Sequence, residues 1–329
     1  MEKHFRTIVR ADKAPFEISY NTPVLFLGSC FTENIGSLMD ERKFPVSINP
    51  FGVVYNPVSV DLVLNRIVNG QPYNENDLIK HNNLWLSLQH HTKLSNESKS
   101  ACLDDINKSL SVSHEFWQKA KCLIITFGTA RVYTYKETGE PVANCHKIPA
   151  SKFTRSLLSV DEIVKRWGEL LRRILKDKPD LKVIFTVSPV RHWKDGANGN
   201  QLSKSILLLA ANELVKQFQE NSFYFPSYEI MMDDLRDYRF YNSDMLHPSP
   251  LAVSYIWEQF CHSVLSSSAI DLSKDIEKII QAANHRPLNK QTKEHKQFIR
   301  NTVTRIDAIS KRNPLIDFSK EIKNLQQNL

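Results

Sequence analysis

Asp244 and His247 stand three residues apart in Asp244-Met245-Leu246-His247-Pro248, just ahead of a helix start at Ser249-Pro250. At that spacing on a turn a carboxylate can reach the imidazole, hold its tautomer and stabilise its protonated form. Taken alone, the pair is equally well an Asp that caps a turn and a His packed beside it. Cys30 changes that balance. It lies in Gly28-Ser29-Cys30-Phe31-Thr32-Glu33-Asn34-Ile35-Gly36, directly after an apolar run and at the N-terminal end of an expected helix. There the helix dipole is expected to lower the thiol pKa and favour the thiolate. A histidine delivered from the far end of the domain would complete a nucleophile–base pair. The plainer alternative makes Cys30 a small buried hydrophobe, the commonest fate of a free cysteine.

The elements that must position these groups follow from pattern. Val24 to Leu27 is a short apolar run ending at Gly28, which suits a buried strand and a tight turn. A helix is expected from about Glu33 to Lys43, then a strand near Val46 to Ile48 that ends at Asn49-Pro50-Phe51-Gly52. Ser59 is read as the cap of the next helix, with Leu62, Val63, Ile67 and Val68 on one face and Gly70 past its end. Residues 71 to 100 are polar and aromatic, hold Trp85, His90 and His91, and read as an insertion or lid. A helix through Trp117 leads to the β-rich run Cys122 to Phe127, ending at Gly128. Thr138-Gly139 between Val132–Tyr135 and Pro141–Ala143 reads as a hairpin outside the main sheet. Ser159 and Glu162 form a capping box for a long helix, Val183 to Val187 is a further strand, and Leu202 to Phe218 is helical. Phe223 to Phe225 is a last short strand, and Pro250 begins a helix from Leu251 to Phe260.

Strands alternating with helices imply a doubly wound, mostly parallel sheet in a three-layer α/β/α sandwich, whose ligands sit outside the carboxyl ends of the strands. The polar and glycine-containing segments after Leu27, Ile48, Phe127 and Val187 all fall at those ends. Beyond about residue 266 the chain reads as polar and helical, with breaks at Pro287 and Pro314. Residues 1–266 are therefore expected to form the α/β domain, with the insertion near 71–100, and 267–329 a helical extension.

Bulk composition excludes several classes. The five cysteines, at irregular spacings without a CxxC pair, read as free thiols in a reducing compartment rather than a disulfide framework. No run approaches the roughly 18 apolar residues of a membrane helix, and no signal-peptide core follows Met1. A cytoplasmic protein is expected. Residues 285 to 312 hold eight Lys and Arg against Glu294 and Asp307, so they supply +6 of the +7 formal charge. Nucleic-acid binding through this stretch is not the favoured reading, because no aromatic platform or recognised motif accompanies the charge. No cofactor is expected, since Gly28 lacks the glycine spacing of a pyrophosphate loop. Cys145, His146, His90 and His91 show no zinc-like spacing, so no metal is expected either.

The string Gly28-Ser29-Cys30-Phe31 resembles the signature of the GSCFA family, with Thr32 in place of its final Ala. That family is similar to the SGNH, or GDSL-like, hydrolases, which carry Gly-Asp-Ser after the first strand and Asp-x-x-His near the end. The resemblance runs over roughly residues 5 to 300. It implies a flavodoxin-like SGNH-type sheet, and it places Cys30 at the nucleophilic serine and Ser29 at the aspartate of the motif. Ser29 is the nucleophile only if the turn shifts by one residue.

The resemblance also implies an oxyanion hole made from the Cys30 amide, a glycine after the second strand and an asparagine after the third. Gly52 fits the second role and Gly128 marks the third site, where Ala130 replaces the asparagine. Losing one such donor typically costs on the order of 100-fold or more in rate. Asn144, Arg131 and His192 are candidate substitutes, and Arg131, His146, Arg191 and His192 are candidates for substrate contact. The expected function is a hydrolase or acyltransferase, esterase- or thioesterase-like, acting on a small-molecule or glycan-linked acyl substrate. The rivals are an inactive binding module on the same fold and a nucleic-acid or partner surface on the basic C-terminal helices.

Overall fold

Short apolar runs that end in glycine or a polar turn, separated by amphipathic segments, can bury both faces of a strand only if helices cover each side. The computed structural model, which describes residues 6–285 and 292–327, has that arrangement. Strand β1 (Val24–Gly28), helix α1 (Cys30–Glu41), strand β2 (Val46–Ile48) and helix α2 (Pro57–Asn69) come first. A small hairpin, β3 (Ile79–His81) and β4 (Leu84–Leu86), precedes α3 (Lys99–Lys119) and β5 (Cys122–Phe127). Three antiparallel strands follow, β6 (Arg131–Tyr135), β7 (Pro141–Val142) and β8 (Phe153–Leu157). Then come α4 (Val160–Asp177), β9 (Lys182–Val187), α5 (Gly196–Gln217) and β10 (Ser222–Tyr224). A short α6 (Ser227–Glu229) continues as a π-turn to Asp234, and α7 (Pro250–Val264), α8 (Ser267–Asn284), α9 (Lys293–Arg312) and α10 (Ser319–Gln326) complete the chain.

The central sheet is parallel throughout, in the order β10-β9-β5-β1-β2. From the β2 edge its strands run second, first, third, fourth, fifth, the flavodoxin-like order, so the strand order reverses between β1 and β5. Side-chain alternation sorts the two faces. Val24, Phe26, Cys122, Ile124 and Ile184 point toward α1, α7 and the C-terminal helices. Leu25, Leu27, Leu123, Ile125, Phe127, Val183, Phe185 and Val187 point toward α2 to α5. The result is a three-layer α/β/α sandwich.

Several local expectations change. Asn56, not Ser59, caps α2: its side chain accepts the Ser59 amide, while Pro57 occupies the first turn and Ser59 lies inside the helix. Residues 71–100 contain the β3–β4 hairpin and two 3-10 turns, anchored by the buried Tyr73 and His90. β8 joins β6 as a third strand of the side sheet, although four of its five side chains are exposed. The break at Pro287 lies outside the described residues, whereas Pro314 separates α9 from α10. Among the described residues no helix is long and apolar enough to cross a membrane.

Candidate active site

Gly28 ends β1 at φ +146°, and a Cβ there would lie 2.3 Å from the Thr126 carbonyl oxygen of β5. Only glycine lets the backbone turn so close to its neighbour strand. The turn is held from both sides: the Gly28 amide donates to Asn49 Oδ1 at 2.9 Å and the Ser29 amide to Thr126 O at 3.1 Å. Cys30 thereby opens α1 at the carboxyl edge of the sheet, beside the point where strand order reverses.

Ser29 is the N-cap of α1 in extended conformation, but its side chain makes no cap bond. It is buried, and its Oγ has no partner among the described residues. Cys30 beside it is half-buried. The thiol departs from the expectation of a lowered pKa. Burial pushes it up, Glu33 adds to the rise, and Lys204 with the amides of Phe31 and Cys30 only partly offsets them. Desolvation outweighs the helix terminus here.

Asp244 and His247 meet as their spacing suggests. Asp244 Oδ1 accepts the amides of Leu246 and His247, each at 2.9 Å, and Oδ2 lies 2.6 Å from His247 Nδ1. The two backbone amides, with the imidazole behind them, hold the Asp244 carboxyl down at about 2. The turn is pinned by Met245 at φ +59° and by the Asn242 amide donating to His247 O at 2.8 Å. Both side chains are nearly half exposed, at 46% for His247 and 47% for Asp244. Among the described residues no hydrogen bond joins the Cys30 thiol to His247.

His192 links the two parts. Its Nε2 stands 3.3 Å and the Ser29 Cβ 3.2 Å from where a Cβ on Gly128 would be, and its ring packs edge-on against Tyr55 at 5.6 Å. Burial, reinforced by the Lys204 charge, brings His192 down to about 4, and the charge of His247 also reaches it. His192 is therefore neutral at neutral pH and carries one ring N–H. The sequence neighbours of His192, Arg191 and Trp193, together with Tyr238, Tyr241, Asp244 and Met245, line an open groove of ≈ 630 Å³. Tyr238 is 79% exposed, Trp193 also stands out at the rim, and among the described residues Arg191 donates only to Met232 Sδ.

Other expected site residues are committed elsewhere. The Gly52 amide donates to Asn49 O at 2.7 Å and the Gly128 amide to Tyr55 O at 2.7 Å. Asn144 donates its amide to Leu88 O and accepts the His146 amide through Oδ1. His146 is buried, with Nε2 2.9 Å from Ser87 O and Nδ1 3.2 Å from Thr92 Oγ1, so it ties the insertion down. Arg131 and Arg155 both pair with Asp195, whose side chain is fully buried. Ala130 is wholly buried within the α2–α5 core, and its amide donates to Ser203 Oγ at 2.7 Å. Among the described residues, no group of three His, Cys, Asp or Glu is arranged to hold a metal ion.

Sequence reasoning missed Lys204, Asn49 and Tyr55. Lys204 is completely buried, with Nζ 2.6 Å from Gly128 O and 2.7 Å from Ser188 O. Its signal was a lysine on the inward stripe of α5, between Asn200, Ser203 and Leu207. Asn49 and Tyr55 follow β2 at the same edge, where a turn-forming asparagine and an aromatic look like ordinary loop residues.

The fold and site together define a parallel α/β/α protein with a thiol at its first strand–helix turn and an Asp–His turn near the same edge. The chain belongs to the GSCFA family: the model described as GSCFA family matches residues 23–260. A second, described as GSCFA domain protein, C-terminal domain, matches residues 276–329. No curated protein matches the chain. Among solved structures it is similar to one described as a candidate platelet activating factor from Streptococcus pneumonia, at 11% identity and a TM-score of 0.35, covering 73% of this chain and 84% of that one.

Proposed function

We propose that this protein is a hydrolase or acyltransferase for an ester or thioester, and that its site is of SGNH type with a thiol nucleophile. The observation that carries the reading is the Asp244–His247 pair at 2.6 Å, exposed on a turn that lines the same groove as Arg191 and Trp193 after β9. Neither side chain is packed into the core, so both remain accessible from solvent. In the reaction the Cys30 sulfur attacks the acyl carbon and its proton passes to His247. His247 then gives that proton to the leaving alcohol or thiol, and water or an acceptor alcohol releases the acyl group by the reverse sequence. Asp244 fixes the imidazole. Hydrogen bonds of this kind are often long in a ligand-free site and tighten when substrate binds.

The Cys30 amide, which among the described residues donates to no carbonyl, is one oxyanion donor, and neutral His192 is the second, in place of the missing asparagine. A neutral imidazole can serve this role because it keeps an N–H to donate. Arg191, Trp193 and Tyr238 form the face that receives the acyl substrate. Of Ser29 and Cys30, the half-buried cysteine is the more accessible nucleophile.

A binding module on the same fold is the second reading. It is favoured by the Gly52 and Gly128 amides, which already donate to Asn49 O and Tyr55 O. Activated acyl esters and acyl thioesters, assayed under reducing conditions with wild type, Cys30→Ala and His247→Ala, separate the two. Turnover by wild type that both variants lose supports the enzyme. Inert wild type across the panel supports the binding module.

A further inference from the structure

A lysine buried to the last atom needs an account, because desolvating an ammonium costs several kcal/mol unless partners replace its water. Lys204 Nζ finds two carbonyl oxygens, Gly128 O at 2.6 Å and Ser188 O at 2.7 Å, at the carboxyl ends of the adjacent strands β5 and β9. The Tyr228 ring lies 5.9 Å away. Among the described residues no carboxylate lies within ion-pair distance of it. Carbonyls hold the ammonium in place without neutralising it. The residue after β5 that it binds, Gly128, is packed against Ser29 and His192, and Ser29 precedes Cys30.

We propose that Lys204 is a positioning residue for the reaction, the buried cation that balances the charge of the Cys30 thiolate. The inference rests on the reading of Cys30 as the nucleophile. It answers a difficulty in that reading: burial and Glu33 disfavour the thiolate, and the groups that favour it are two backbone amides and Lys204. The influence is mutual, since burial draws Lys204 down to about 7 while the Cys30 charge works the other way. Other groups facing the pair do not replace Lys204. Arg191 and Lys204 repel each other, His192 is neutral at neutral pH, and Tyr55 is held in its uncharged form. The proton released by Cys30 goes to His247, and the thiolate left behind favours the protonated form of Lys204 that burial alone opposes.

A purely structural lysine would only clamp β5 to β9. The two roles separate in the pH profile of Cys30 alkylation by iodoacetamide, performed on the folded protein and read on the Cys30 peptide by mass spectrometry after digestion. Lys204→Gln keeps an N–H donor for the carbonyls and removes the charge, and Lys204→Met keeps the length. Either is expected to move the Cys30 profile upward in pH and slow alkylation at neutral pH by about tenfold or more, one pKa unit being a factor of ten. A folded Lys204→Gln whose Cys30 profile overlays that of wild type overturns the proposal, whatever its melting temperature.

Should both lysine variants fail to fold, the coupling is read from the other partner. A carboxylate placed at the same position supplies the missing negative charge, so Cys30→Asp is expected to raise the Lys204 titration above that of Cys30→Ala, followed by NMR of carbon-labelled lysine. A Lys204 titration identical in Cys30→Asp and Cys30→Ala overturns the proposal. Neither measurement uses an acyl substrate. A coupled Cys30–Lys204 pair in a protein inert to every ester and thioester would support the pairing while removing the hydrolase reading.

Discussion

Asn49 Oδ1 accepts the Gly28 amide at 2.9 Å, so the residue that follows β2 holds the residue from which the turn into Cys30 departs. Asn49 is buried and sits at φ +40°, a conformation that asparagine tolerates better than most residues. Asn49→Ala leaves the Gly28 N–H buried without a partner, which costs about 1–3 kcal/mol. Thermal denaturation should show a loss of about 2–4 °C per kcal/mol. Asn49→Asp, which keeps the acceptor, should lose less. Equal melting temperatures for Asn49→Ala and wild type would mean that the bond does not hold the turn.

Asp244→Asn should leave the turn folded, because the Oδ1 that accepts the Leu246 and His247 amides is retained. What it removes is the negative charge opposite the imidazole. If His247 is the proton carrier, turnover should fall on the order of 1,000-fold or more with circular dichroism unchanged. An active, folded Asp244→Asn would argue against the assigned role.

The pH behaviour of the same carboxyl has a definite sign. Its folded value, about 2, lies below the ordinary carboxylate value, so its charge favours the folded turn above about pH 4. That contribution fades as pH falls toward about 2. Acid titration followed by NMR of the His247 ring should therefore show the Asp–His geometry intact at pH 4 to 5, about two to three units above its titration. A carboxyl that titrates at an ordinary value would contradict the hydrogen bonds seen at this turn.

Ala130→Asn should not create an oxyanion donor. The side chain points into the α2–α5 core rather than onto the site, so the larger amide is both overpacked and without a partner. Overpacking alone costs about 1–3 kcal/mol. The expected outcome is a lower melting temperature with no gain in acyl hydrolysis. A stable variant with increased activity would place residue 130 on the site wall instead.

Thiol labelling of the native protein should divide the cysteines by burial. Cys102, Cys122 and Cys261 are buried, while Cys30 and Cys145 are partly exposed. Cys261 is also pushed up to about 12 by burial. Mass spectrometry after brief alkylation near neutral pH should find label at Cys30 and Cys145, with the other three modified only after denaturation. Uniform labelling would indicate that the core opens far more readily than its packing implies.

The parallel sheet was legible because its central strands β1, β5 and β9 are apolar runs with a glycine or polar turn at their carboxyl ends, as at Leu27-Gly28 and Phe127-Gly128. The Asp–His turn was legible because its geometry is local: three residues and one reverse turn bring the groups together. β8 was not, since a side-sheet strand with four exposed residues carries almost no hydrophobic alternation. Nor was the thiol's environment. The helix N-terminus at Cys30 could be read from the chain, whereas burial and the approach of Lys204, 174 positions later, are consequences of tertiary packing. Ala130 looked like a lost catalytic residue from its place after the third strand, but its inward orientation follows from the Ser203 hydroxyl that takes its amide.

Residues as far apart in sequence as Ala14 and Leu325 belong to one continuous apolar cluster, which also contains Val24 and Phe26 of the sheet and Ile276, Ile306 and Ile309 of the C-terminal helices. At the far end of α1 from Cys30, Lys43 pairs with Glu321 at 2.9 Å, with both side chains largely covered. The C-terminal helices therefore have no separate core on which to melt. Heating should take the whole chain through one cooperative transition, and a protein cut after residue 266 would present the bare flank of α1 to solvent as an adhesive surface.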